Sequence, residues 1–376
     1  MTRILLAPDK FKGSATAVEV AEALARGLLR VRPDLDVVSM PVADGGDGTV
    51  DAAVSSGLTR IPVATTGPTG LPVTTAYARH GTAAIVELAD ACGLLRLPHD
   101  RPAPLTASSR GVGTVIAAAI DAGCTELVVG IGGSASSDGG AGMLSALGAV
   151  LRDGDGNEVP DGGGSLHRIA SIDVSALRAR LAGVRLTIAC DVDNPLLGPD
   201  GAAAVYAPQK GASPEDVRRI EDGLRHWADV VARTTGEELR DAPGAGAAGG
   251  VGFGGLALLG ATLSPGADLV LDLVGLPAAL QDADLVVTGE GSLDEQSLRG
   301  KVPARIARLA AAAGVPVLVA CGRSQLSAAQ LDAAGITGVL ALVDREPDLQ
   351  RCLTEAPTLL EDVGAEIASS LRVVHP

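Results

Sequence analysis

Aromatic residues are almost absent from this chain. Its 376 residues include two phenylalanines, two tyrosines and one tryptophan. The core must therefore be aliphatic and alanine-rich, and no run of stacked aromatic rings exists to hold single-stranded nucleic acid. Basic residues are also in deficit, since 30 Lys and Arg oppose 45 Asp and Glu and give a net charge of −15. That balance disfavours nucleic acids and anionic membrane surfaces as partners.

Cysteines and long apolar segments are few. The five cysteines are scattered without a Cys-x-x-Cys motif, which disfavours disulfides and zinc and favours buried thiols in a reducing compartment. The apolar run at 4–7 is too short for a signal peptide. The uncharged stretch 242–267 could span a bilayer, but its nine glycines and two prolines predict a buried glycine-rich loop region. We therefore expect a soluble cytoplasmic protein without a membrane partner; a homodimer is left open.

Short runs of Val, Ile and Leu alternate with longer Ala- and Leu-rich segments of helical period. This order predicts an α/β protein with a largely parallel sheet covered on both faces. Helices are expected after Thr16, after Ser213 and over 297–313. Strands are predicted at 3–7, 36–42, 83–88, 126–131, 185–190, 284–288, 315–320 and 338–343.

The domain organisation is predicted to be discontinuous. The segment 66–72 is rich in turn residues and is interpreted as a linker. The last three predicted strands continue the pattern of the first two. We therefore predict one α/β domain made of residues 1–68 plus 282–376, with a second α/β domain, residues 69–281, inserted into it.

Lysine is used sparingly and in particular places. Only four of the 30 basic residues are lysines, and each lies in a loop motif with glycine or an acid: Lys10, Lys12, Lys210 and Lys301. A compact ammonium charge suits a phosphate or a carboxylate. Chance placement of solvated lysines is the alternative, above all for Lys301. The pattern as a whole favours anion binding.

Glycine-rich segments follow four of the predicted strands, at 43–49, 132–140, 191–198 and 289–294. Ligands of open α/β sheets bind outside the carboxyl ends of the strands, where backbone N–H groups and helix N-termini can meet an anion. A glycine pair after a strand is usually only a tight turn. The argument therefore depends on the four segments together.

Most of the candidate carboxylates lie on the same segments. Such groups can hold hydrated Mg²⁺ or accept a proton from a substrate hydroxyl group. Each could instead cap a helix or fasten a turn. That alternative is weakest for Asp191 and Asp193, because Asp-x-Asp-Asn-Pro directly after an apolar strand makes an awkward turn. The set is Asp9, Asp44, Asp47, Asp138, Asp191, Asp193, Glu290 and Asp294.

The sequence offers no evident covalent nucleophile. The five histidines share no motif and lie outside the glycine-rich segments, which argues against a catalytic triad and against zinc. Cys190 has no basic partner nearby in the sequence and is expected in the core. The residues alone favour a two-domain enzyme that binds anions in a cleft. Phosphoryl transfer fits, because its catalysis is mostly positioning and charge neutralisation.

At these residues the chain resembles the type I bacterial glycerate kinases, the glycerate 2-kinase family that includes the enzyme of glucarate and galactarate catabolism. The family pattern is broken at three places: Ser136-Ser137 replaces Thr-Asn, Tyr206-Ala207 replaces Phe-Gly, and Ser292 replaces a common arginine. The last departure argues against a guanidinium at that loop. The matching segments, in the family's order, are 7–14, 43–49, 132–135 with 138–140, 190–196, 208–212, 246–250, and 288–291 with 294, 296–297 and 300–301.

The resemblance implies an ATP-dependent kinase that phosphorylates D-glycerate with Mg²⁺, usually to 2-phosphoglycerate. It also implies that the discontinuous domain is Rossmann-like, and that the active site lies in the cleft between this domain and the inserted one. ATP and glycerate are then the small-molecule partners.

Roles for individual residues are hypotheses at this point. Asp191 is the first candidate for the general base and Asp44 the second, while Lys210 would neutralise the transferred phosphoryl group. Asp193 and Asp47 would hold Mg²⁺. The residues expected to bind substrate or phosphate are Lys10, Lys12, Ser14, Gly133, Ser134, Gly249, Gly250, Glu290 and Asp294.

Two other functions stay open. The same types of site would serve a kinase for another small sugar acid or hydroxy acid. A non-catalytic metabolite-binding regulator would also hold an acid, but it would gain nothing from concentrating carboxylates at its site. Mg-dependent consumption of ATP would separate the enzyme from the regulator.

Overall fold

The structure is a computed structural model that describes residues 1–98, 101–298 and 300–371. Over these residues the chain forms thirteen strands and sixteen α-helices. Strands β1 to β13 are Arg3–Pro8, Asp36–Ser39, Thr59–Thr66, Pro72–His80, Ala83–Glu87, Glu126–Gly130, Val150–Arg152, Ser171–Asp173, Arg185–Ala189, Thr262–Ser264, Leu285–Leu293, Val317–Ser324 and Gly338–Ala341. Helices α1 to α16 are Ala17–Val31, Thr49–Ser55, Leu88–Cys92, Arg110–Asp121, Ala141–Ala146, Ser175–Arg180, Ala202–Tyr206, Pro214–Thr235, Ala247–Leu259, Gly266–Leu273, Leu276–Gln281, Glu295–Leu298, Val302–Ala313, Ala328–Ala333, Leu349–Thr354 and Ala356–Ser370.

The chain divides into two compact units. The first contains Met1–Asp44, Asp51–Leu58 and Ala267–Pro376, and the second contains Gly45–Val50 and Thr59–Gly266. All eight predicted strands are present, and the α/β class is confirmed.

The borders of the units differ from the predicted domain bounds, 1–68 plus 282–376 and 69–281. Strand β3 pairs with β4, so it belongs to the second unit. The predicted linker at 66–72 is wrong, because this segment is the turn of the β3–β4 hairpin, in which Gly67 N–H donates to the Leu71 carbonyl oxygen at 2.7 Å. At the other border, Val270 and Leu271 of α10 are buried in the core of the first unit.

The sheet of the first unit is doubly wound. Its five strands are all parallel and lie in the order β13-β12-β11-β1-β2. Side chains alternate along β1: Leu5 joins a core with helices α10 and α13, whereas Ile4 and Leu6 join a second core with α1 and α16. The chain passes from β1 to β2 on one side and later adds β11 on the other. The strand order therefore reverses between β1 and β11, which is where open α/β sheets bind ligands.

The second unit has a mixed sheet of six strands in the order β10-β9-β6-β5-β4-β3. The pairs from β10 to β5 are parallel, and β4 and β3 are added as an antiparallel hairpin. Pro62 lies in β3 at the edge of this sheet, where a missing N–H breaks no central ladder. A two-stranded sheet, β7 with β8, completes the unit.

The stretch 242–267, predicted as a buried glycine-rich loop region, is loop only in part. It also contains β10, the start of α10 and α9, whose backbone is non-helical at Ala248, Gly249 and Gly250. Its glycines allow close packing of the helix: a Cβ on Gly252 would lie 2.2 Å from the Gly244 carbonyl oxygen, and one on Gly255 would lie 2.2 Å from Ile188 Cδ1. None of the described helices is both long and apolar enough to cross a membrane.

Local capping patterns explain the helix starts. The helices expected after Thr16 and Ser213 are present, and each begins with a capping box, of Thr16 with Glu19 and of Ser213 with Asp216. The helix expected over 297–313 is wrong as a single element, because it is divided into α12 and α13. Gly300 adopts φ +114° between them, and Lys301 then takes the N-cap position of α13.

Candidate active site

A cavity of about 470 Å³ lies in the first unit at the carboxyl ends of β1, β11 and β12. This is the point where the strand order reverses, as expected for a ligand site of a doubly wound sheet. We call it the charged cavity. Its lining residues are Asp9, Lys10, Phe11, Lys12, Ser14, Asp44, Glu290, Gly291, Ser292, Asp294, Lys301, Gly322, Arg323, Leu349 and Leu353.

The loop after β1 positions three of the predicted binding residues. Phe11 and Ala15 are buried and bridge one another, with Phe11 N–H donating to the Ala15 carbonyl oxygen at 2.8 Å. Gly13 closes the loop at φ +79°, a left-handed conformation that favours glycine. With these residues as anchors, the rest of the loop lines the charged cavity: Lys10, Lys12 and Ser14.

Asp9 is a buried acid at the end of β1. It is 9% exposed, and burial raises its pKa to about 7, with a further increase from Asp44. Lys10 lowers the pKa of Asp9 by its charge and by its backbone N–H, which donates to Asp9 Oδ1 at 2.7 Å. The sequence pattern placed Asp9 among the loop carboxylates without a role, and its burial now makes it part of the site.

Glu290 faces the same cavity from β11 and is 7% exposed. Burial raises its pKa to about 7; Ser297 and Lys301 lower it, whereas Asp294 and Asp44 raise it. Its Oε1 atom is buried and has no hydrogen-bond partner among the described residues. The segment 289–294, predicted as a loop, is largely strand: Glu290 and Ser292 lie in β11, in register with β12. A Cβ on Gly289 would lie 2.4 Å from the Ala320 carbonyl oxygen, so glycine permits this pairing.

Two further cations line the charged cavity. Lys301 lies at the start of α13, and Arg323 lies near the end of β12. Arg323 pairs with Ser292 in the sheet register, and its Nε donates to the Ser292 hydroxyl at 3.1 Å. The 289–294 segment itself carries no guanidinium, as the sequence indicates, but the neighbouring strand places Arg323 beside Ser292. Arg323 was missed, although the Gly322 that precedes it follows a predicted strand.

The predicted phosphate-binding residues of the second unit surround a buried lysine. Lys210 is 3% exposed, and its Nζ donates to the Ser136 carbonyl oxygen. Burial lowers the pKa of Lys210 to about 8, against the opposing effects of Asp138 and Cys92. We call residues 134–140, Lys210 and 248–250 the glycine-rich centre.

Part of the glycine-rich centre has its backbone in the left-handed conformation. Ala248, Gly249 and Gly250 all have positive φ, and Ala248 is the only such non-glycine residue in the described part of the chain. Ser134 Oγ donates to the Ala248 carbonyl oxygen at 3.3 Å, and Gly139 N–H donates to the Gly249 carbonyl oxygen at 3.0 Å. A Cβ on Gly249 would lie 2.2 Å from the Ser136 carbonyl oxygen. Gly249 is therefore needed for close packing, whatever it contributes to a ligand.

Asp138 stabilises the glycine-rich centre through buried hydrogen bonds. It is fully buried, and its Oδ2 accepts from Ser109 N–H at 2.8 Å, from the Ser109 hydroxyl at 2.9 Å and from Gly142 N–H at 3.3 Å. Its Oδ1 accepts from Gly140 N–H at 3.2 Å. Burial nevertheless raises the pKa of Asp138. Ser137 Oγ is the exception in this centre, as it is buried without a partner among the described residues.

The carboxylates proposed for base and metal chemistry in the second unit lie nearer the surface. Asp191 is exposed and accepts from Gly266 N–H at 3.0 Å. Asp193 is exposed on the same segment. Asp47 lies beside Gly133, because a Cβ on that glycine would be 2.5 Å from Asp47 Oδ1. Within the described residues, no group of three or more His, Cys, Asp or Glu side chains is arranged to hold a metal ion.

Glu87 is a buried acid that the sequence did not single out. Its carboxylate accepts from Gly48 N–H at 3.0 Å and from Val50 N–H at 3.1 Å. Burial raises its pKa to about 7, although both N–H groups lower it. Glu87 thus fastens the segment Gly45–Val50, which carries Asp47, within the second unit. Only its place at the end of a predicted strand could have drawn attention to it.

The structure thus groups the predicted site residues into two sets. The charged cavity of the first unit contains Lys10, Lys12, Ser14, Asp44, Glu290 and Asp294. The second unit contains Asp47, Gly133, Ser134, Asp191, Asp193, Lys210, Gly249 and Gly250.

Comparison with known proteins gives a consistent result. Residues 4–372 match the family model described as the glycerate kinase family. The chain is 43% identical to the glycerate kinase of Bacillus subtilis (strain 168), over 99% of this chain and 98% of that protein. It is 40% identical to the glycerate 2-kinase of Escherichia coli (strain K12), again over 99% and 98% of the two chains.

A solved structure shares the fold. It is a crystal structure from Salmonella typhimurium LT2, described as that of a candidate glycerate kinase 2. The TM-score is 0.84, the sequence identity is 40%, and the match covers 98% of each chain.

Proposed function

The chain belongs to the glycerate kinase family, and we propose that it transfers the γ-phosphoryl group of ATP to a hydroxyl group of D-glycerate. The observation that carries the proposal is the charged cavity. Six residues to which the sequence assigned a role, together with Asp9 and Lys301, gather there, at the strand-order reversal of the first unit. The product is proposed to be 2-phosphoglycerate, because a relative that matches over nearly the full length is a glycerate 2-kinase.

The reaction is proposed as one direct in-line displacement. The oxygen of the glycerate hydroxyl attacks the γ-phosphorus while the bond to the bridging oxygen breaks and ADP leaves. The hydroxyl proton passes to a carboxylate, for which the sequence ranks Asp191 first and Asp44 second. Asp44 lines the charged cavity, whereas Asp191 lies in the second unit. Replacing each by asparagine tests the choice.

Magnesium is proposed to enter with ATP as part of the substrate. Mg²⁺ in such sites keeps several waters and takes one or two protein carboxylates besides the phosphate oxygens. Asp47 and Asp193 are the proposed ligands. The position of Asp47 beside Gly133 supports this, since Gly133 and Ser134 are proposed to meet the phosphates. Bound Mg²⁺ would offset phosphate charge and hold the γ-phosphoryl group in position.

Lys210, Gly249 and Gly250 are proposed to act on the phosphates from the second unit. Support comes from their grouping: a Cβ on Gly249 would lie 3.0 Å from Lys210 Nζ. Lys210 also fixes the Ser136 carbonyl oxygen, so part of its role is to hold the backbone that surrounds it. The predicted interdomain cleft stays a prediction. A cytoplasmic location is proposed because all five cysteines are free thiols.

Phosphorus NMR tests the proposed function. Purified protein is incubated with Mg-ATP and D-glycerate, beside controls with L-glycerate and without an acceptor. We expect a phosphoglycerate signal with D-glycerate, whose shift and coupling identify the 2-position. Intact ATP with either isomer, in protein shown to be folded, would contradict the proposal. A screen of other hydroxy acids would then decide between another acid kinase and a non-catalytic binder.

A further inference from the structure

The charged cavity has a balanced set of ionisable groups. Its four carboxyl groups are those of Asp9, Asp44, Glu290 and Asp294, and its four cations are Lys10, Lys12, Lys301 and Arg323. Burial raises the pKa values of two of these carboxyl groups, Asp9 and Glu290, to about 7. Burial of these carboxyl groups favours a ligand of low negative charge, such as a monoanion, over a polyphosphate chain that would set several negative charges against the same carboxylates.

Glu290 adds a requirement for a hydrogen-bond donor on the ligand. Its side chain is 7% exposed, and among the described residues none bonds to its Oε1 atom. Buried polar atoms in folded proteins nearly always have a partner. When Glu290 is ionised, this oxygen can accept from a ligand hydroxyl group, whereas an ionised phosphate offers no donor to it.

The lysines of the first loop supply the complementary group. Lys10 and Lys12 flank the buried Phe11, and both line the same cavity as Glu290. An ammonium group pairs well with a carboxylate. A small acid that carries a carboxylate and a hydroxyl group would use both features of the cavity.

We infer that the charged cavity is the acceptor subsite, where a small hydroxy acid places its carboxylate at Lys10 and Lys12 and donates a hydroxyl hydrogen bond to Glu290. This inference rests on the proposed function and adds which of the two substrates the first unit holds. The cavity is larger than a three-carbon acid and has an apolar rim of Leu349 and Leu353. The remaining space leaves room for the terminal phosphate of the donor.

Separate titrations of the two substrates test the inference. Calorimetry is done with D-glycerate, with and without the non-hydrolysable ATP analogue AMP-PNP, and with Mg-AMP-PNP alone. We expect Glu290→Gln to weaken D-glycerate binding by about tenfold or more and to leave the affinity for AMP-PNP within about twofold. The matched control is Glu295→Gln, an exposed glutamate outside the cavity lining, which should change neither affinity.

The opposite pattern overturns the inference. Loss of AMP-PNP affinity with unchanged glycerate affinity would make the cavity the nucleotide site, and unchanged affinity for both would also contradict it. If Glu290→Gln does not fold, the exposed Lys12 allows the same test through Lys12→Gln. Phosphorus NMR of the wild-type protein keeps the two claims apart: without phosphoglycerate the proposed function fails, whereas with it only the placement of the acceptor is in question.

Discussion

The charged cavity of the first unit and the glycine-rich centre of the second unit each contain a buried acid, but the two acids differ in how far they are hydrogen-bonded. Asp138 receives four hydrogen bonds from surrounding N–H and hydroxyl groups. Glu290 has a buried Oε1 that none of the described residues contacts by a hydrogen bond. The difference indicates a structural acid in the first case, and in the second it is the observation on which we base the proposed ligand contact.

The largest expected effect concerns the proton acceptor. If the charged cavity holds the acceptor acid, Asp44 lies in the same cavity as the reacting hydroxyl group. Asp44→Asn should then lower kcat by about 10²–10⁴-fold, the usual cost of removing a general base. Asp191→Asn is measured beside it under saturating ATP and glycerate. A large loss confined to Asp191→Asn would restore the ranking taken from the sequence and count against the acceptor subsite.

The next effect tests the structural side of the comparison. Asp138→Ala leaves the N–H groups of Ser109, Gly140 and Gly142 without their buried acceptor. We expect the free energy of unfolding in urea to fall by about 3–5 kcal/mol. Asp155→Ala, at an exposed loop position, is the control and should stay within about 0.5 kcal/mol. Equal stability of the two variants would show that these hydrogen bonds do not fasten the centre.

Lys210 tests whether the glycine-rich centre also acts in catalysis. Lys210→Met keeps most of the side-chain volume and removes the charge and the hydrogen bond to Ser136. If the ammonium group acts on the transferred phosphate, kcat should fall by about 10²-fold, with a smaller change in glycerate binding. Steady-state kinetics combined with a thermal melt separates the two roles. A folded variant with wild-type turnover would leave Lys210 a purely structural role.

The smallest expected effect is a gain in stability. The pKa of Glu290 in the folded state, about 7, lies above its ordinary value of 4.5. The free energy of unfolding therefore falls as the pH rises from 4.5 through 7, because Glu290 must then ionise in a buried site. Below pH 4.5 this loss is absent. Glu290→Gln removes this dependence and should raise the free energy of unfolding by about 1–3 kcal/mol at pH 8, with little change near pH 4.5.

Urea unfolding at both pH values checks the prediction for Glu290, with Glu295→Gln as the control. A difference between Glu290→Gln and wild type that does not grow with pH would mean that Glu290 is not a destabilised acid. Together with the binding titrations, the result would show whether Glu290 lowers the stability of the folded protein while it increases the affinity for the ligand.

The parts predicted well from sequence are those fixed by local pattern. The apolar run of β1 and the capping box at Thr16 depend on a few neighbouring residues, and both are confirmed. The hairpin of β3 and β4 was missed because its turn at 66–72 has the composition of a linker. The helix α9 was missed because nine glycines in the stretch 242–267 suggested loop, whereas those within α9 allow close packing.

The residues of the candidate active site divide in the same way, into those that sequence motifs indicate and those that only tertiary contacts place there. Lysine usage and the loop motifs selected most of the charged cavity, but only pairing of distant strands places Arg323 beside Ser292. The burial of Asp9 and Glu290 also depends on the sheet, since Asp9 N–H donates to the Gly289 carbonyl oxygen across it at 2.8 Å. Sequence motifs indicate which residues belong to a site, while tertiary contacts decide which of them are buried and which retain an unused hydrogen-bonding atom.

A crystal structure of the protein with D-glycerate tests the comparison most directly. The account predicts density for the acid in the charged cavity, with its carboxylate at Lys10 and Lys12 and a hydroxyl group within hydrogen-bond distance of Glu290 Oε1. Glycerate bound at the glycine-rich centre, with Glu290 Oε1 still unpartnered, would contradict it.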